Sequence, residues 1–295
     1  MIVDKFGFLP NDWPLSFDDF EICPVEQFDE IRNFFKDNAN VDGYYYPPNV
    51  FTARTTHPDK EEQIVPNSKK PALLYQLPAS HYIKTKKNLD LQSLRLGEFG
   101  FSINLIGYYF GYRLQFVEWW VDGRVHATSQ HGIVHDHIEV ENFLHHSLRQ
   151  FRKFEIGVQK RFINLLFLIN RAPAYNWDWE RFIIEYIIFD GCWKIFEDQY
   201  RIKGVHHKDR MSRMLAFFKM HREPKYEDLI ISLRNDLFHE GLWDKTQPCS
   251  ARTSDSYYAG FFLRDLNQRL IPALLKYPTQ YTKSPWTSRC VHGFS

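Results

Sequence analysis

Apolar and polar positions follow two rhythms along this chain, and the change falls near residue 148. In the first stretch Phe99, Phe101, Ile103 and Leu105 alternate with Gly100, Ser102 and Asn104, the period of a half-buried strand. A helix over Phe99 to Leu114 is the competing reading, because a short apolar run does not separate the two. Arg113 to Val121 is rich in aromatic and β-branched residues, and Asp122-Gly123 before Arg124-Val125 is a two-residue hairpin signal. Pro10, Pro14, the Pro47-Pro48 pair and the polar run from His57 to Pro71 predict turns and an exposed loop.

From Phe151 the period lengthens to that of helices. Phe151 to Asn170 reads as one helix, ended by Arg171-Ala172-Pro173. A second runs from about Trp177 to Tyr200 behind the capping candidate Asn176, and its middle, Phe182 to Asp190, is apolar on nearly every face. A third spans Lys208 to His221. A fourth starts at Pro224 and carries the stripe Tyr226, Leu229, Ile230, Leu233 and Leu237; it stops near Gly241, a glycine suited to a left-handed cap. A fifth covers Ser254 to Lys276. The expected fold class is α+β: a β-rich N-terminal domain over residues 1–140, then an all-α up-and-down helical bundle over residues 141–295.

Charge sharpens that division. The whole chain of 295 residues holds 37 Lys+Arg and 36 Asp+Glu, a net charge of +1 that by itself speaks against bulk-charge binding of nucleic acid. Residues 1–148 hold 13 basic and 20 acidic residues, a balance of −7, and residues 149–295 hold 24 and 16, a balance of +8. Fifty aromatic residues supply ample apolar surface and exclude general disorder. No apolar run approaches the roughly 20 residues of a membrane span, and the N-terminus has no signal-peptide pattern, so a cytoplasmic protein without membrane attachment is expected. Cys23, Cys192, Cys249 and Cys290 are singletons without a CxxC pair, which fits reduced thiols.

The chemistry concentrates in Arg234-Asn235-Asp236-Leu237-Phe238-His239. His239 titrates near neutrality and suits proton transfer, and its place in a helix's last turn favours the protonated form. Arg234 is permanently charged, with a planar donor fork that fits phosphate oxygens. In an ideal helix, five residues set the two side chains roughly 140° and about 7.5 Å apart, a poor site. Two arrangements close that gap: a loosened helix near Gly241, or a two-fold partner that brings a second Arg and His.

An Arg, four intervening residues and a His, with Asn directly after the Arg, late in a helical domain, resembles the HEPN family. The resemblance covers roughly residues 142–295 and implies a HEPN-like bundle, metal-independent RNA cleavage through the 2′-hydroxyl, and a homodimer with the motif at its interface. It implies a growth-arresting toxin or an antiviral, abortive-infection effector, checked by an antitoxin or another regulatory protein, with no cofactor. Where some HEPN toxins carry a Tyr two residues past the His that an antitoxin modifies, this chain has Gly241. The family also suggests that an acidic residue on the second helix orients the Arg; Asp190 is the first candidate and Glu185 the reserve. Asn235 holds the phosphate or His239 through its amide, or bonds to nearby backbone.

Two further clusters stand out. Lys203, Lys208, Arg210, Arg213, Lys219 and Arg222, with His206, His207 and His221, form the densest basic stretch, and read as an RNA track or as a solvated helix face. His131, His135, His137, His145 and His146 lie with Asp136, Glu139 and Glu141 within sixteen residues; a polar junction is the expected role and zinc binding the lesser one. The leading expectation is therefore a metal-independent endoribonuclease, with a non-catalytic HEPN-like dimerisation or nucleic-acid-binding scaffold as the alternative. A zinc hydrolase on the histidine cluster is third.

Overall fold

A computed structural model describes residues 1–45, 48–53, 63–71, 74–88, 90–129, 133, 136–248, 254–288 and 294. The fold is α+β, and the chain forms two compact units interleaved in sequence: residues 1–91 with 111–130, and residues 92–110 with 131–295. A single boundary at 140/141 does not describe this, because residues 92–110 leave the first unit and return the chain to it at 111.

The first unit centres on an antiparallel sheet of β1 (Ile2–Gly7), β2 (Leu15–Phe17), β3 (Phe20–Pro24), and further along the chain β8 and β9. Helix α1 (Phe28–Asp37) follows β3, then β4 (Tyr44–Tyr45), β5 (Pro48–Ala53), β6 (Gln63–Pro71), β7 (Leu74–Tyr75) and β8 (His81–Thr85). After residue 110 come β9 (Gln115–Phe116), β10 (Val121–Asp122) and β11 (Val125–His126). The sheet order is β2-β3-β8-β1-β9, and β1 pairs with β8 from Ile2 opposite Thr85 to Phe6 opposite His81. Gln63–Pro71, expected as loop, pairs instead with β5; His57 to Glu62 lie outside the described residues.

The expected hairpin at Asp122-Gly123 does not form. Gly123 makes the turn at φ +70°, but Val121 pairs with Tyr75 of β7 and Val125 with Tyr45 of β4. Both valines are buried in one cluster with Phe8, Phe35, Tyr45, Tyr75 and Leu77, where Phe35 stacks on Phe8 at 4.1 Å and on Tyr45 at 4.3 Å. Burying each valine against a different tyrosine outweighs pairing the two short strands with each other.

The second unit is helical. It begins within α2 (Leu91–Arg95) and continues through α3 (Glu98–Phe110), α4 (His137–Phe151), α5 (Ile156–Arg171), α6 (Asp178–Tyr200), α7 (Arg210–Phe218), α8 (Pro224–Asn235) and α9 (Ser254–Leu274). Helix α6 packs on α5 and α9, α8 on α9, and α3 on α4 and α5.

Phe99 to Leu105, expected first as a strand, is therefore helix, the competing reading. Gly100 and Ser102 are as buried as the residues between them, so the alternation is one of size and not of exposure. Gly100 is required by close approach: a Cβ there would stand 2.0 Å from the Arg95 carbonyl oxygen.

The expected single helix from Phe151 to Asn170 is split at residues 152–155. Gln159 Nε2 donates to the carbonyls of Phe151 at 3.1 Å and Phe154 at 3.0 Å, which satisfies backbone groups that a continuous helix would have bonded. Helix α4 was not expected. Asp136 caps it by accepting from the Ile138 and Glu139 amides, and Val140, Phe143, Leu144, Ser147, Leu148 and Phe151 form its buried stripe. The cap of α6 is Trp177 and not Asn176.

Helix α8 starts as its sequence predicts, with Pro224 at the first position. Buried Glu227 reaches back to accept the Glu223 amide at 3.0 Å and takes a two-pronged bond from Arg222 at 2.7 and 2.8 Å. Glu227→Ala is expected to lower stability by about 1–2 kcal/mol. Chemical denaturation measures this, and a midpoint unchanged from wild type would refute the role of this clamp.

Candidate functional site

Helix α8 does not end as an ordinary helix. Asp236–Glu240 form a single π-helical turn, closed by amides of Gly241 and Leu242 that both bond to the Asp236 carbonyl, with Gly241 in the left-handed region at φ +68°. A π turn pairs residues five apart where an α-helix pairs residues four apart. Arg234 and His239, five apart, are thereby brought onto one face, and Arg234 Nη1 lies 2.7 Å from His239 Nε2. Of the two arrangements that close the gap, the chain adopts the loosened helix, and a second copy is not needed for Arg and His to meet.

A guanidinium only donates, so Nε2 is the accepting nitrogen of His239 in this contact. Arg234 Nη1 also donates to Asn235 Oδ1 at 3.1 Å, and the guanidinium lies over the exposed Phe238 ring at 5.4 Å. Asn235 thus braces the arginine, a role outside the alternatives of phosphate, His239 or backbone.

An open cleft of about 370 Å³ runs beside this pair. The segment before α7 contributes His206, His207 and Lys208 to it, and α8 with its π turn contributes Ile231, Arg234, Asn235 and His239. His207 stacks on Tyr186 at 5.6 Å with the rings 19° apart, and the Tyr186 hydroxyl is 3.2 Å from its Nδ1 and 3.3 Å from its Nε2. Burial is the main influence on His207 and pushes its pKa below the ordinary value, aided by Arg234 and Arg210 and opposed by Asp190. Burial likewise drives the Tyr186 phenol up, so it stays a donor.

Asp190 is not the partner of Arg234. Its Oδ1 accepts from Arg210 Nη1 at 3.1 Å and stands 3.5 Å from His207 Nε2. It holds the histidine of the cleft and the arginine at the start of α7. Glu185, the reserve, is buried between α6 and α9 and accepts from Asn267 Nδ2 at 2.8 Å, away from the cleft lining.

The basic stretch divides. Arg210 is tied to Asp190 and lies over Trp193, and Arg222 is held by Glu227, so neither is a free phosphate contact. Lys208 lines the cleft, and Lys203, Arg213 and Lys219 are exposed without an ion pair among the described residues. Among the histidines expected at a junction, His146 bonds to the Leu275 carbonyl at 3.0 Å and packs on Tyr277, and His137 faces Glu141 at 3.7 Å. His131 and His135 lie outside the described residues, as do Cys249 and Cys290; among the described residues no group of three or more metal-ligating side chains gathers. Cys23 and Cys192 are free thiols, and no helix among the described residues is long and apolar enough to cross a membrane.

Of this constellation, Tyr186 was not singled out from sequence, and His207 was named only as part of the basic stretch. His207 lies in a short turn with no periodic signal. Tyr186 did carry one, since it is four residues before Asp190 and therefore on the same face of α6. No protein-family model, curated protein or solved structure matches this chain.

Proposed function

We propose that the helical unit is a metal-independent endoribonuclease of HEPN-like character. The observation that carries this reading is the 2.7 Å contact between Arg234 and His239 at the rim of a cleft that also holds Lys208. RNA supplies its own nucleophile, the 2′-hydroxyl. What remains for the protein is to move two protons and to stabilise the charge that builds on phosphorus. Arg234 presents a phosphate-binding fork already braced by Asn235, and His239 is a proton carrier within its reach.

A phosphate entering the cleft competes for the Arg234 donors, which frees His239 Nε2 for proton transfer. Lys203, Lys208, Arg213 and Lys219 then supply sequence-independent attraction along the RNA backbone. The resemblance of the Arg234 to His239 motif to HEPN enzymes supports a biological role as a growth-arresting toxin or abortive-infection effector, with a second copy or a regulatory protein as its partner.

Purified protein incubated with RNA in excess chelator is expected to cut it, leaving 2′,3′-cyclic phosphate and 5′-hydroxyl ends. Absence of cleavage, or cleavage that survives both Arg234→Ala and His239→Ala, would overturn the reading.

A further inference from the structure

Cleavage through the 2′-hydroxyl needs a base for the attacking oxygen and an acid for the leaving one. The Arg234 to His239 pair supplies a single proton carrier. The cleft holds another imidazole, positioned by groups the motif does not include.

We propose that His207 is the general base of this site and His239 its general acid, so that one chain carries a two-histidine ribonuclease centre; this rests on the ribonuclease reading above. Both rings line the same cleft, His207 from the turn before α7 and His239 from the π turn after α8. Asp190 Oδ1 stands 3.5 Å from His207 Nε2, which places the ring proton there and leaves the lone pair on Nδ1. The Tyr186 hydroxyl lies nearly equidistant from the two ring nitrogens, 3.2 Å from Nδ1 and 3.3 Å from Nε2, and Arg234 Nη1 lies 2.7 Å from Nε2 of His239. Substrate engages both rings: the ribose 2′-hydroxyl approaches Nδ1 of His207, and the phosphate draws Arg234 away from His239.

The step balances. The O2′–P bond forms as the 2′ proton passes to His207 Nδ1, and the P–O5′ bond breaks as the protonated His239 ring gives its proton to O5′. Asp190 stabilises the His207 imidazolium that results, and the two rings exchange protons with water before the next turnover. No metal or co-reactant enters. The charged and titratable groups facing His207 are Tyr186 and Asp190 of α6, Arg210 of α7 and Arg234 of α8, with His206, Lys208 and His239 in the same cleft; burial, Arg234 and Arg210 favour the neutral ring that a base requires, and Asp190 opposes them.

The test combines a pH profile with an RNA oligonucleotide carrying sulfur in place of the 5′-bridging oxygen, whose thiolate departs without a proton. Wild-type cleavage should rise with pH through a value below the ordinary histidine pKa of about 6.5. His207→Ala should lose about 10²–10⁴-fold and flatten that acidic limb. His207→Phe, which keeps the stack on Tyr186, should behave identically while unfolding like wild type. On the sulfur-containing RNA the His239→Ala defect should largely vanish, and the His207→Ala defect should persist in full. A His207→Phe enzyme with wild-type rate and profile, or a His207 defect rescued by sulfur, overturns the proposal while leaving the ribonuclease reading standing. A wild-type chain that cuts no RNA removes both.

Discussion

Replacing Arg234 by alanine is expected to lower the rate of RNA cleavage by about 10²–10³-fold, the scale for losing one preorganised donor to a developing oxyanion. Arg234 is well prepared for that role. Asn235 Oδ1 holds one prong of its fork, and the Phe238 ring supports its plane. Arg234→Lys keeps the charge and loses the fork, so it should recover only part of the rate. Single-turnover cleavage at saturating protein isolates the chemical step, and RNA binding measured separately should change little, since Lys203, Lys208, Arg213 and Lys219 remain. A loss confined to binding, with the single-turnover rate intact, would show that Arg234 attracts RNA without acting in the reaction.

The second large effect concerns stability and pH. Glu185 is buried against α9, and burial pushes its pKa up to about 7, although Arg264 and the Asn267 amide pull the other way. Asn267 Oδ1 is itself buried without a partner, and a protonated Glu185 carries the kind of donor it lacks. A raised folded-state pKa means that the folded protein binds this proton more tightly than the unfolded chain. The contribution is fully present below the ordinary carboxylate value and is lost as pH rises toward 7, a change of roughly 3 kcal/mol over that window. Glu185→Gln, neutral at every pH, should remove it. The thermal midpoint of wild type should therefore fall relative to the variant between pH 5 and pH 8, at roughly 2–4 °C per kcal/mol. Parallel pH profiles for the two proteins would sink the idea.

The α6 to α9 layer that holds Glu185 is also where sequence patterning was most legible. The apolar middle of α6, the proline at the start of α8 and the glycine that ends it are local signals, and each appears where its residues place it. The failures share a cause. Phe99 to Leu105 alternates large with small residues, and only the neighbours of α3 reveal that the small ones are buried too. The Asp122-Gly123 turn is real, yet the partners of its flanking strands are distant in sequence. Histidine and glutamate in α4 obscured a stripe that Asp136 and its capping bonds announce.

For the candidate site, sequence by itself determined the chemistry available: a guanidinium and an imidazole five residues apart, in the basic part of the chain, ahead of a glycine able to turn left-handed. Backbone geometry decided whether they meet. An α-helix holds such residues on different faces, and a π turn shares one face between them, a difference of one hydrogen-bond register that composition does not encode. Tertiary packing alone decided the rest. It assigned Asp190 to His207 and Arg210, withdrew Arg222 into the cap of α8, and carried His207 from the basic stretch into the cleft. Contacts of α6 with α7 and of α6 and α8 with α9 depend on how the helices close together, and closure is a property of all their apolar faces together.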